Sequence, residues 1–202
     1  EIYTLSLHDA LPISSWKGGR EPDVRISLYQ GIPKQGKFEL IVQKSVELGV
    51  EKIIPVFMER SVVKETPRFT KKIERFNTVA KETTKQYQRS FVPTVSEAAD
   101  FRQILKDFKE FDIVVFPYEE EESFTIRDYL EQIKKNTVDS VRDVALVIGP
   151  EGGFSKEEAS ALIEKGIRPV SLGKTVLRTE TAAIAALSIQ LEIGRASCRE
   201  RV

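Results

Sequence analysis

Histidine and cysteine are almost missing from this sequence, which has one residue of each among 202. The histidine is His8 and the cysteine is Cys198, so both lie close to the ends of the chain. The residues between them lack a thiol nucleophile, a histidine base and the ligands of a Cys/His zinc site. They also lack disulfides, which is typical of cytoplasmic proteins. We therefore expect chemistry without a metal, and a cytoplasmic location.

Long apolar runs and an excess of one charge are absent as well. No run approaches the roughly eighteen apolar residues that a membrane-spanning helix needs, so we expect no membrane association. The sequence has 31 basic and 31 acidic residues. Attraction of the whole molecule to nucleic acid is therefore not indicated, and such a partner must use a local excess of charge.

The two ends of the chain differ from the rest. Residues 1–14 (EIYTLSLHDALPIS) begin with Glu rather than Met and lack the basic start and long apolar stretch of a secretory signal. They resemble translated sequencing-adapter sequence, and so does the tail at 194–202, around G-R-A-S-C-R-E-R-V. We expect both to be artefactual additions. Residues 15–25 have Gly, Pro and charge without periodicity, which predicts a linker, and 26–193 is then the folded domain.

Apolar runs and helical patterns alternate through this domain. We predict strands at 26–29, 52–57, 91–95, 111–116, 144–148 and 169–172. We predict helices between 38 and 49, at 68–87, 97–108 and 125–135, between 155 and 166, and at 182–191. The continuous apolar run at 144–148 is typical of a parallel strand that is buried on both faces. The order of elements predicts an α/β fold with a mostly parallel sheet and helices on both faces.

The helix predicted at 68–87 has one apolar stripe, and its other faces are basic. From Arg60 to Arg89 the chain has nine Lys or Arg residues and three acidic ones. An ordinary solvated helix face explains this composition, and a surface for RNA phosphates explains it as well. The acidic run at 119–122 is explained by a solvated turn, with a role in lining a site as the alternative.

Two of the predicted strands lead into loops that are dense in Gly, Pro and small polar residues. The first loop, G-P-E-G-G at 149–153, has more glycine than a turn requires, and it permits a ligand to approach the backbone closely. Ser155 and Glu158 then predict a capping box, and Gly166 predicts the end of that helix. The loop matches neither G-x-G-x-x-G nor a P-loop, so neither dinucleotide nor triphosphate binding follows from it.

The second loop places polar residues at the start of the last helix. Arg178, Thr179, Glu180 and Thr181 stand together where the helix dipole is positive. Capping explains Thr179 and Glu180 but does not explain an arginine in the same turn, so we favour a functional role for Arg178. The last helix is apolar nearly all round, which predicts burial or a subunit interface.

These motifs together resemble one family. L-V-I-G-P-E-G-G-F-S-K-E-E and V-S-L-G-K-T-V-L-R-T-E-T-A-A follow K-F-E-L-I-V-Q-K-S-V-E-L-G-V and M-E-R-S. In this order they are similar to the bacterial small-subunit ribosomal RNA uridine-N3 methyltransferases, called methyltransferase E, of the SPOUT superfamily. The similarity runs from about Arg25 to Leu191. It implies a SPOUT-type fold with a C-terminal trefoil knot, and a homodimer.

The sequence departs from the family at two places. The family has an N-terminal PUA-like barrel that grips RNA, and 15–25 corresponds to the exit linker of that barrel. The family motif Q-S-x-R is replaced by Gln86-Tyr87-Gln88-Arg89, in which Tyr87 stands for a small residue. We therefore expect altered RNA contacts near Tyr87.

The resemblance also implies an activity. The family uses S-adenosylmethionine to methylate N3 of a uridine in small-subunit ribosomal RNA or in the assembled small subunit. A core without cysteine is inconsistent with the covalent route of C5 methylation, so direct attack by nitrogen is expected. The alternatives are a SPOUT methyltransferase that acts on another RNA, such as tRNA, and a non-catalytic RNA-binding or cofactor-binding domain.

Site residues follow from the same resemblance and from the chemistry. We expect Arg178 to stabilise the developing uracil anion or to hold phosphate, and Glu180 to accept the proton. The residues expected to contact the cofactor are Gly149, Glu151, Gly152, Leu172, Gly173, Leu177 and Thr181. The residues expected to contact RNA are Arg60, Lys71, Arg75 and Arg89.

Overall fold

The computed structural model describes residues 24–34, 36–64, 67–136 and 141–199. The predicted extension at 1–14 lies outside these ranges, as does all of the predicted linker before residue 24. The strands are β1 (Arg25–Gly31), β2 (Lys52–Phe57), β3 (Thr94–Val95), β4 (Ala99–Asp100), β5 (Ile113–Pro117), β6 (Asp143–Ile148) and β7 (Pro169–Val170). The helices are α1 (Lys37–Glu47), α2 (Pro67–Tyr87), α3 (Phe101–Asp107), α4 (Ile126–Asn136), α5 (Lys156–Glu164) and α6 (Thr179–Arg199).

The seven strands form one sheet, and each of their pairings is parallel. The order along the main path is β3-β2-β1-β6-β5-β7, and β4 also pairs with β2. Strand β1 is central, since Leu28 stands between Ile53 of β2 and Leu146 of β6. The prediction of a mostly parallel α/β sheet is confirmed.

Both faces of the sheet are covered by helices, and β6 shows this clearly. Its residues Val144, Leu146 and Ile148 pack in a layer with α1, α2, α4 and α6. The alternate residues Ala145 and Val147 pack on the opposite face with α3 and α5. Full burial of one large aliphatic side chain contributes about 1.5–3 kcal/mol, so the two layers supply most of the driving force for folding. None of the described helices is both long and apolar enough to cross a membrane.

The predicted ends of two helices are confirmed. Helix α1 is followed by Gly49 with a φ of 87°, the left-handed conformation that glycine adopts most easily after a helix. At α5, the Ser155 hydroxyl accepts from the Glu158 N–H at 3.2 Å, and the Glu158 carboxylate accepts from the Ser155 N–H at 2.9 Å. This is the predicted capping box.

Some boundaries differ from the prediction. The helix predicted at 97–108 begins only at Phe101, because Ala99 and Asp100 form strand β4 and Asp100 then caps α3. The strand predicted at 91–95 is limited to Thr94–Val95, and Pro93 just before it has no N–H to give to a neighbouring strand. Helix α6 begins three residues before the predicted 182 and continues to Arg199, into the predicted tail.

A carboxylate holds the turn that leads into β6, and its effect on stability should depend on pH. Asp112 accepts from the backbone N–H groups of Arg142 and Asp143, each at 2.9 Å, and these bonds lower the pKa of Asp112. A lowered folded-state pKa means that the stabilisation is present above the unfolded-state pKa. It is lost as the pH falls through the folded-state pKa.

We expect Asp112→Ala to lower the Tm by about 2–4 °C at pH 7, the shift that about 1 kcal/mol produces in a domain of this size. The difference from the parent should shrink as the pH is lowered through the acidic range, and thermal unfolding across pH measures it. Glu122→Ala, at an exposed position, is the control. A difference that does not change with pH would contradict this origin of the stabilisation.

Candidate functional site

Three loops meet at the carboxyl edge of the central strands. The loop after β1, described at residues 32–34 and 36, and the loop after β6 (149–155) are neighbours because these strands are paired, with Gln30 opposite Ile148. The loop after β7 (171–178) leads into α6. Ligand sites in open parallel sheets lie at such an edge. The sequence predicted the loops after β6 and β7 as the site, and the structure adds the loop after β1.

Strand β1 and the loop after β6 approach each other so closely that only glycine fits at Gly31. A Cβ added there would lie 2.5 Å from the Pro150 nitrogen and 2.8 Å from the carbonyl carbon of Gly149. These are backbone atoms, which cannot swing aside as a flexible side chain can. Gly31 therefore sets the position of the 149–153 loop.

A buried hydrogen-bonded chain joins the start of α6 to the other two segments. The Gln30 amide Nε2 donates to Thr179 Oγ1 at 2.9 Å, and Thr179 Oγ1 donates to the Gly149 carbonyl at 2.6 Å. The same Gln30 nitrogen also donates to the Gly31 carbonyl at 2.9 Å. Gln30 is fully buried and Thr179 is 4% exposed, so these bonds are shielded from water. Thr179, which the sequence explained as a cap, thus fixes the position of α6 against the first glycine of the loop.

Lys37, at the start of α1, lies between two of the predicted site carboxylates. Its Nζ is 3.5 Å from Glu151 and 3.3 Å from Glu180. The Glu151 carboxylate also accepts from the Lys34 backbone N–H, at 3.0 and 3.1 Å. The structure therefore brings Glu151 and Glu180 together, and the residue that joins them, Lys37, was not among the predicted site residues.

The predicted cofactor residues lie on two loops with different properties. In the first loop, a Cβ on Gly149 would lie 3.1 Å from the Phe154 ring, and a Cβ on Gly152 would lie 3.0 Å from Arg60 Cβ. In the second loop, Gly173 has a φ of +131° with open space around it. The other residues of this group are partly or fully exposed: Leu172, Leu177 and Thr181.

The backbone of the second loop remains available for hydrogen bonding. Within the described part of the chain, Gly173 is the only residue of 172–177 whose N–H donates, to Ser171 Oγ at 3.3 Å. Val176, in the same loop, is 79% exposed although it is apolar. A loop whose backbone N–H groups are unpaired among the described residues can bind a ligand through its backbone.

Arg178 is exposed, and its guanidinium has no hydrogen bond or ion pair with any described residue. Its backbone carbonyl accepts from the Ala182 N–H at 2.8 Å, so its backbone is fixed at the start of α6. The side chain therefore stands at the site as an uncommitted cation. Glu180, by contrast, is held by Lys37.

The predicted RNA contacts fall into different environments. Arg60 is exposed and donates to the Gly152 carbonyl at 3.0 Å, which links it to the first loop. Lys71 is exposed on α2, and Arg75, also on α2, pairs with Glu39 at 3.0 Å. Arg89 donates to backbone carbonyls of 46–50, two of them at 2.9 and 3.0 Å. Arg89 thus caps the end of α1, and its contact with RNA stays a prediction.

The acidic run at 119–122 is near the site. The Glu119 carboxylate lies directly against Gly153, whose φ is +67°. Burial, followed by the nearby Glu120, raises the pKa of Tyr118, which precedes the run. One member of the run therefore contacts the first loop, while Glu119 and Glu120 are both exposed as a solvated turn would have them. Among the described residues, no group of His, Cys, Asp or Glu side chains is arranged to hold a metal ion.

Sequence reasoning missed Gln30, Lys34 and Lys37. The available signal was G-I-P-K directly after the first strand, because Gly and Pro at the carboxyl end of a parallel strand are typical of a ligand-side loop. A pattern within one segment could not show that this loop meets two others more than a hundred residues away.

Residues 20–191 of the chain match the RNA methyltransferase domain family. Ribosomal RNA small subunit methyltransferase E of Bacillus subtilis (strain 168) is 36% identical, over 87% of this chain and 70% of that protein. A ribosomal RNA small subunit methyltransferase E from Neisseria gonorrhoeae, crystallised with S-adenosylmethionine, has a TM-score of 0.75 at 28% identity, over 88% of this chain and 69% of that one. The A. aeolicus TrmH/SpoU tRNA-modifying enzyme shares the fold, with a TM-score of 0.54 at 17% identity, over 89% and 79% of the two chains.

Proposed function

The chain belongs to the RNA methyltransferase domain family, and from this premise we propose that it methylates N3 of a uridine in small-subunit ribosomal RNA with S-adenosylmethionine as the donor. Its relatives act on small-subunit ribosomal RNA, as their names say, and its fold is of the SPOUT type. One observation carries the proposal: three loops are joined at one edge of the sheet. The ion pairs of Lys37 join them, and so do the hydrogen bonds from Gln30 to Thr179 and from Thr179 to Gly149.

The residues at this edge fit S-adenosylmethionine. When bound, this group supplies an electrophilic methyl on a sulfonium centre. A Cβ on Gly149 would lie 3.1 Å from the Phe154 ring and one on Gly152 would lie 3.0 Å from Arg60, so glycine lets this loop pack closely and adds no side chain that would cover a ligand. The Glu151 carboxylate suits a cationic ligand. Uncommitted backbone groups of 172–177 suit the edge of an adenine, and Gln30 Oε1 is a buried acceptor without a partner among the described residues.

In this proposal Arg178 is the residue that acts on the uracil. N3 of uracil must lose its proton as it attacks the methyl, so negative charge develops on the ring. Arg178 is a cation at the site without a partner among the described residues, and it stabilises that charge. Glu180 is the candidate proton acceptor, and Lys37 Nζ, 3.3 Å away, holds its carboxylate in place.

The basic surface around α2 is proposed to hold the RNA backbone. Lys71 and Arg75 stand on its exposed side, and Arg60 extends this surface to the first loop through Gly152. Arg89 remains in the proposal, with the added role of holding the end of α1. Phosphate contacts of this kind position an RNA without reading its sequence.

Further parts of the proposal concern the whole molecule. We propose a cytoplasmic homodimer in which α6 and the neighbouring exposed Val176 contribute to the interface. Ala183, Ala186 and Leu187 of α6 pack inside the chain, while Ile184 and Ala185 on the same helix are half-buried and free to meet a partner. The trefoil knot, the artefactual ends at 1–14 and 194–202, and the linker at 15–25 stay predictions.

The test is methyl transfer to unmethylated small subunits. The chain, alone and with the N-terminal barrel of a family member fused before it, is incubated with S-adenosylmethionine and small subunits. We expect methyl incorporation into the small-subunit ribosomal RNA and a reverse-transcription stop at one uridine. Incorporation into tRNA instead would favour the alternative substrate, and cofactor binding without transfer to RNA would contradict the proposed activity.

Lys37 offers a test of the joined loops. We expect Lys37→Met to weaken S-adenosylmethionine binding by about threefold to tenfold, because Glu151 and Glu180 then lose the cation that holds them together. Isothermal titration calorimetry measures the Kd. Lys44→Met is the matched control, since Lys44 is on the same helix and pairs only locally with Glu47. Equal Kd values for the two variants would contradict the role of Lys37.

A further inference from the structure

The turn that follows β2, at 58–61, is fastened to the loop after β6 and to the start of α5. The Glu158 carboxylate of α5 accepts from the Glu59 backbone N–H at 2.8 Å. One residue later, Arg60 Nη1 donates to the Gly152 carbonyl at 3.0 Å. The packing is close, since a Cβ added to Gly152 would lie 3.0 Å from Arg60 Cβ and 3.3 Å from the Arg60 carbonyl oxygen. The turn after β2 therefore lies against the candidate site.

The turn is also closed on itself. The Ser61 N–H donates to the Met58 carbonyl at 3.0 Å, and the Met58 N–H donates to Ser61 Oγ at 3.3 Å. Met58 and Ser61 are buried, whereas Glu59 and Arg60 between them are exposed. The buried ends fix the base of the turn. The bond to the Glu59 N–H fixes its tip, which carries the Arg60 side chain.

Glu158 makes one contact more than helix capping requires. In a capping box, the carboxylate returns to the backbone N–H of the cap residue. Glu158 Oε2 does this, because it accepts from the Ser155 N–H at 2.9 Å. The other oxygen, Oε1, is the one that accepts from Glu59. Glu158 is 6% exposed, so the two N–H groups take the place of water around a buried carboxylate. One side chain thus fixes both the start of α5 and the turn after β2.

Arg60 keeps donors for a second partner. Among the described residues, its guanidinium makes the hydrogen bond to Gly152 and no ion pair. A guanidinium has several further N–H groups in a rigid plane. The Arg60 side chain is exposed, so these groups are open to solvent. An arginine that is held by one nitrogen presents the others to a phosphate in a fixed orientation.

We infer that Glu158 is a positioning residue for RNA binding: it holds the turn after β2 so that Arg60, anchored on Gly152, faces a phosphate of the RNA. Glu158 touches no substrate and acts through Arg60. Removing a negative charge near RNA ordinarily strengthens binding, whereas the loss of Glu158 weakens it here. The inference rests on the proposed function and deepens it, because it says how the RNA surface is joined to the loop after β6.

The test is a double-mutant cycle on RNA binding. We expect Glu158→Ala and Arg60→Ala each to weaken binding by about threefold to tenfold, the scale of one exposed charge-assisted hydrogen bond. The double variant should bind within about twofold of Arg60→Ala, because Glu158 acts only through Arg60. Filter binding of the full chain to radiolabelled, protein-free small-subunit ribosomal RNA measures the Kd.

Two controls at the same helix start separate this role from capping and from charge. Ser155→Ala removes the hydroxyl that accepts from the Glu158 N–H at 3.2 Å and leaves the bond to Glu59 in place. It should lower the Tm, as the loss of a cap does, and bind RNA within about twofold of the parent. Glu157→Ala removes an exposed carboxylate next to Glu158 in the sequence. It should bind RNA as tightly as the parent or more tightly.

Equal RNA affinity of Glu158→Ala and Glu157→Ala would overturn the inference. Losses from Arg60→Ala and Glu158→Ala that multiply in the double variant would overturn it too, since Glu158 would then act by another route. The absence of any binding of this RNA by the parent would have the same meaning. Failure of methyl transfer by a parent that binds the RNA would reject the proposed function alone, because the binding assay needs no cofactor.

Glu158→Asp decides the question if Glu158→Ala does not fold. Aspartate keeps the charge and suits the same position of a helix start. Its side chain is a methylene shorter, so its carboxylate is withdrawn from the Glu59 N–H. We expect this variant to bind RNA about threefold to tenfold more weakly than the parent. Binding as tight as that of the parent would count against the role of Glu158.

Discussion

Replacing Arg178 by alanine is expected to lower methyl transfer to small-subunit ribosomal RNA by about 10²–10³-fold, the cost of losing one group that stabilises developing negative charge. Binding of S-adenosylmethionine should stay within about twofold of the parent, since the expected cofactor contacts lie on other residues. Turnover is measured with radiolabelled donor, and the Kd by calorimetry. The effect is large because the Arg178 guanidinium has no partner among the described residues and is therefore available to the substrate.

Lys174→Ala is the matched control for Arg178. Lys174 is an exposed cation in the same loop after β7. We expect Lys174→Ala to retain most of the methyl-transfer activity. The loss of a positive charge near the RNA slows the association of enzyme and RNA more than it slows the chemical step. Arg178→Lys should recover part of the lost turnover if charge is what matters. Equal turnover of Arg178→Ala and the parent would reject the assignment of Arg178.

Replacing Gly31 by alanine is expected to abolish cofactor binding in the range that calorimetry detects. The added Cβ would meet the backbone of Gly149 and Pro150 at 2.5–2.8 Å, so the first loop must shift away from β1. Overpacking of this kind also costs about 1–3 kcal/mol of stability. Thermal unfolding and cofactor titration measure the two effects. The conformation of Gly31 lies outside the left-handed region, so the effect comes from contact alone.

Gly166→Ala separates the two effects of the Gly31 substitution. Gly166 follows α5, has a φ of +80°, and would carry a Cβ with nothing within 4 Å. We expect this variant to lose about 1 kcal/mol through backbone strain and to bind the cofactor normally. If Gly31→Ala bound the cofactor as Gly166→Ala does, the close approach at Pro150 would not position the loop.

The sequence was sufficient for features that depend on neighbours in the chain. The continuous apolar run at 144–148 indicated a strand buried on both faces, and Ser155 with Glu158 predicted a capping box; the structure confirms both. Helix α3 was placed too early because Ala99 and Asp100 pair with β2, and this tertiary contact is not visible in a local pattern.

The candidate site could be predicted only in part, because its parts are joined over long separations. Glu180 and Lys37 are 143 residues apart, and Thr179 and Gln30 are 149 apart. No single window of sequence contains either pair. Arg89 shows the opposite difficulty: it counted as one of nine basic residues near α2, yet its guanidinium serves the end of α1. Composition gives the number of charged residues, but it does not show which groups each of them contacts in the fold.

The central position of β1 has a consequence for how the protein is made. Strand β1 leaves the ribosome before its partner β6, which is synthesised 118 residues later. Until then one edge of β1 has no partner, and open edges of this kind favour non-native pairing. Contacts that join such distant segments also form slowly. The nascent chain therefore completes its sheet only after Val170 has emerged. It closes the Gln30–Thr179 bond later still, so the three loops of the methyl-donor site are joined only once the start of α6 has been made.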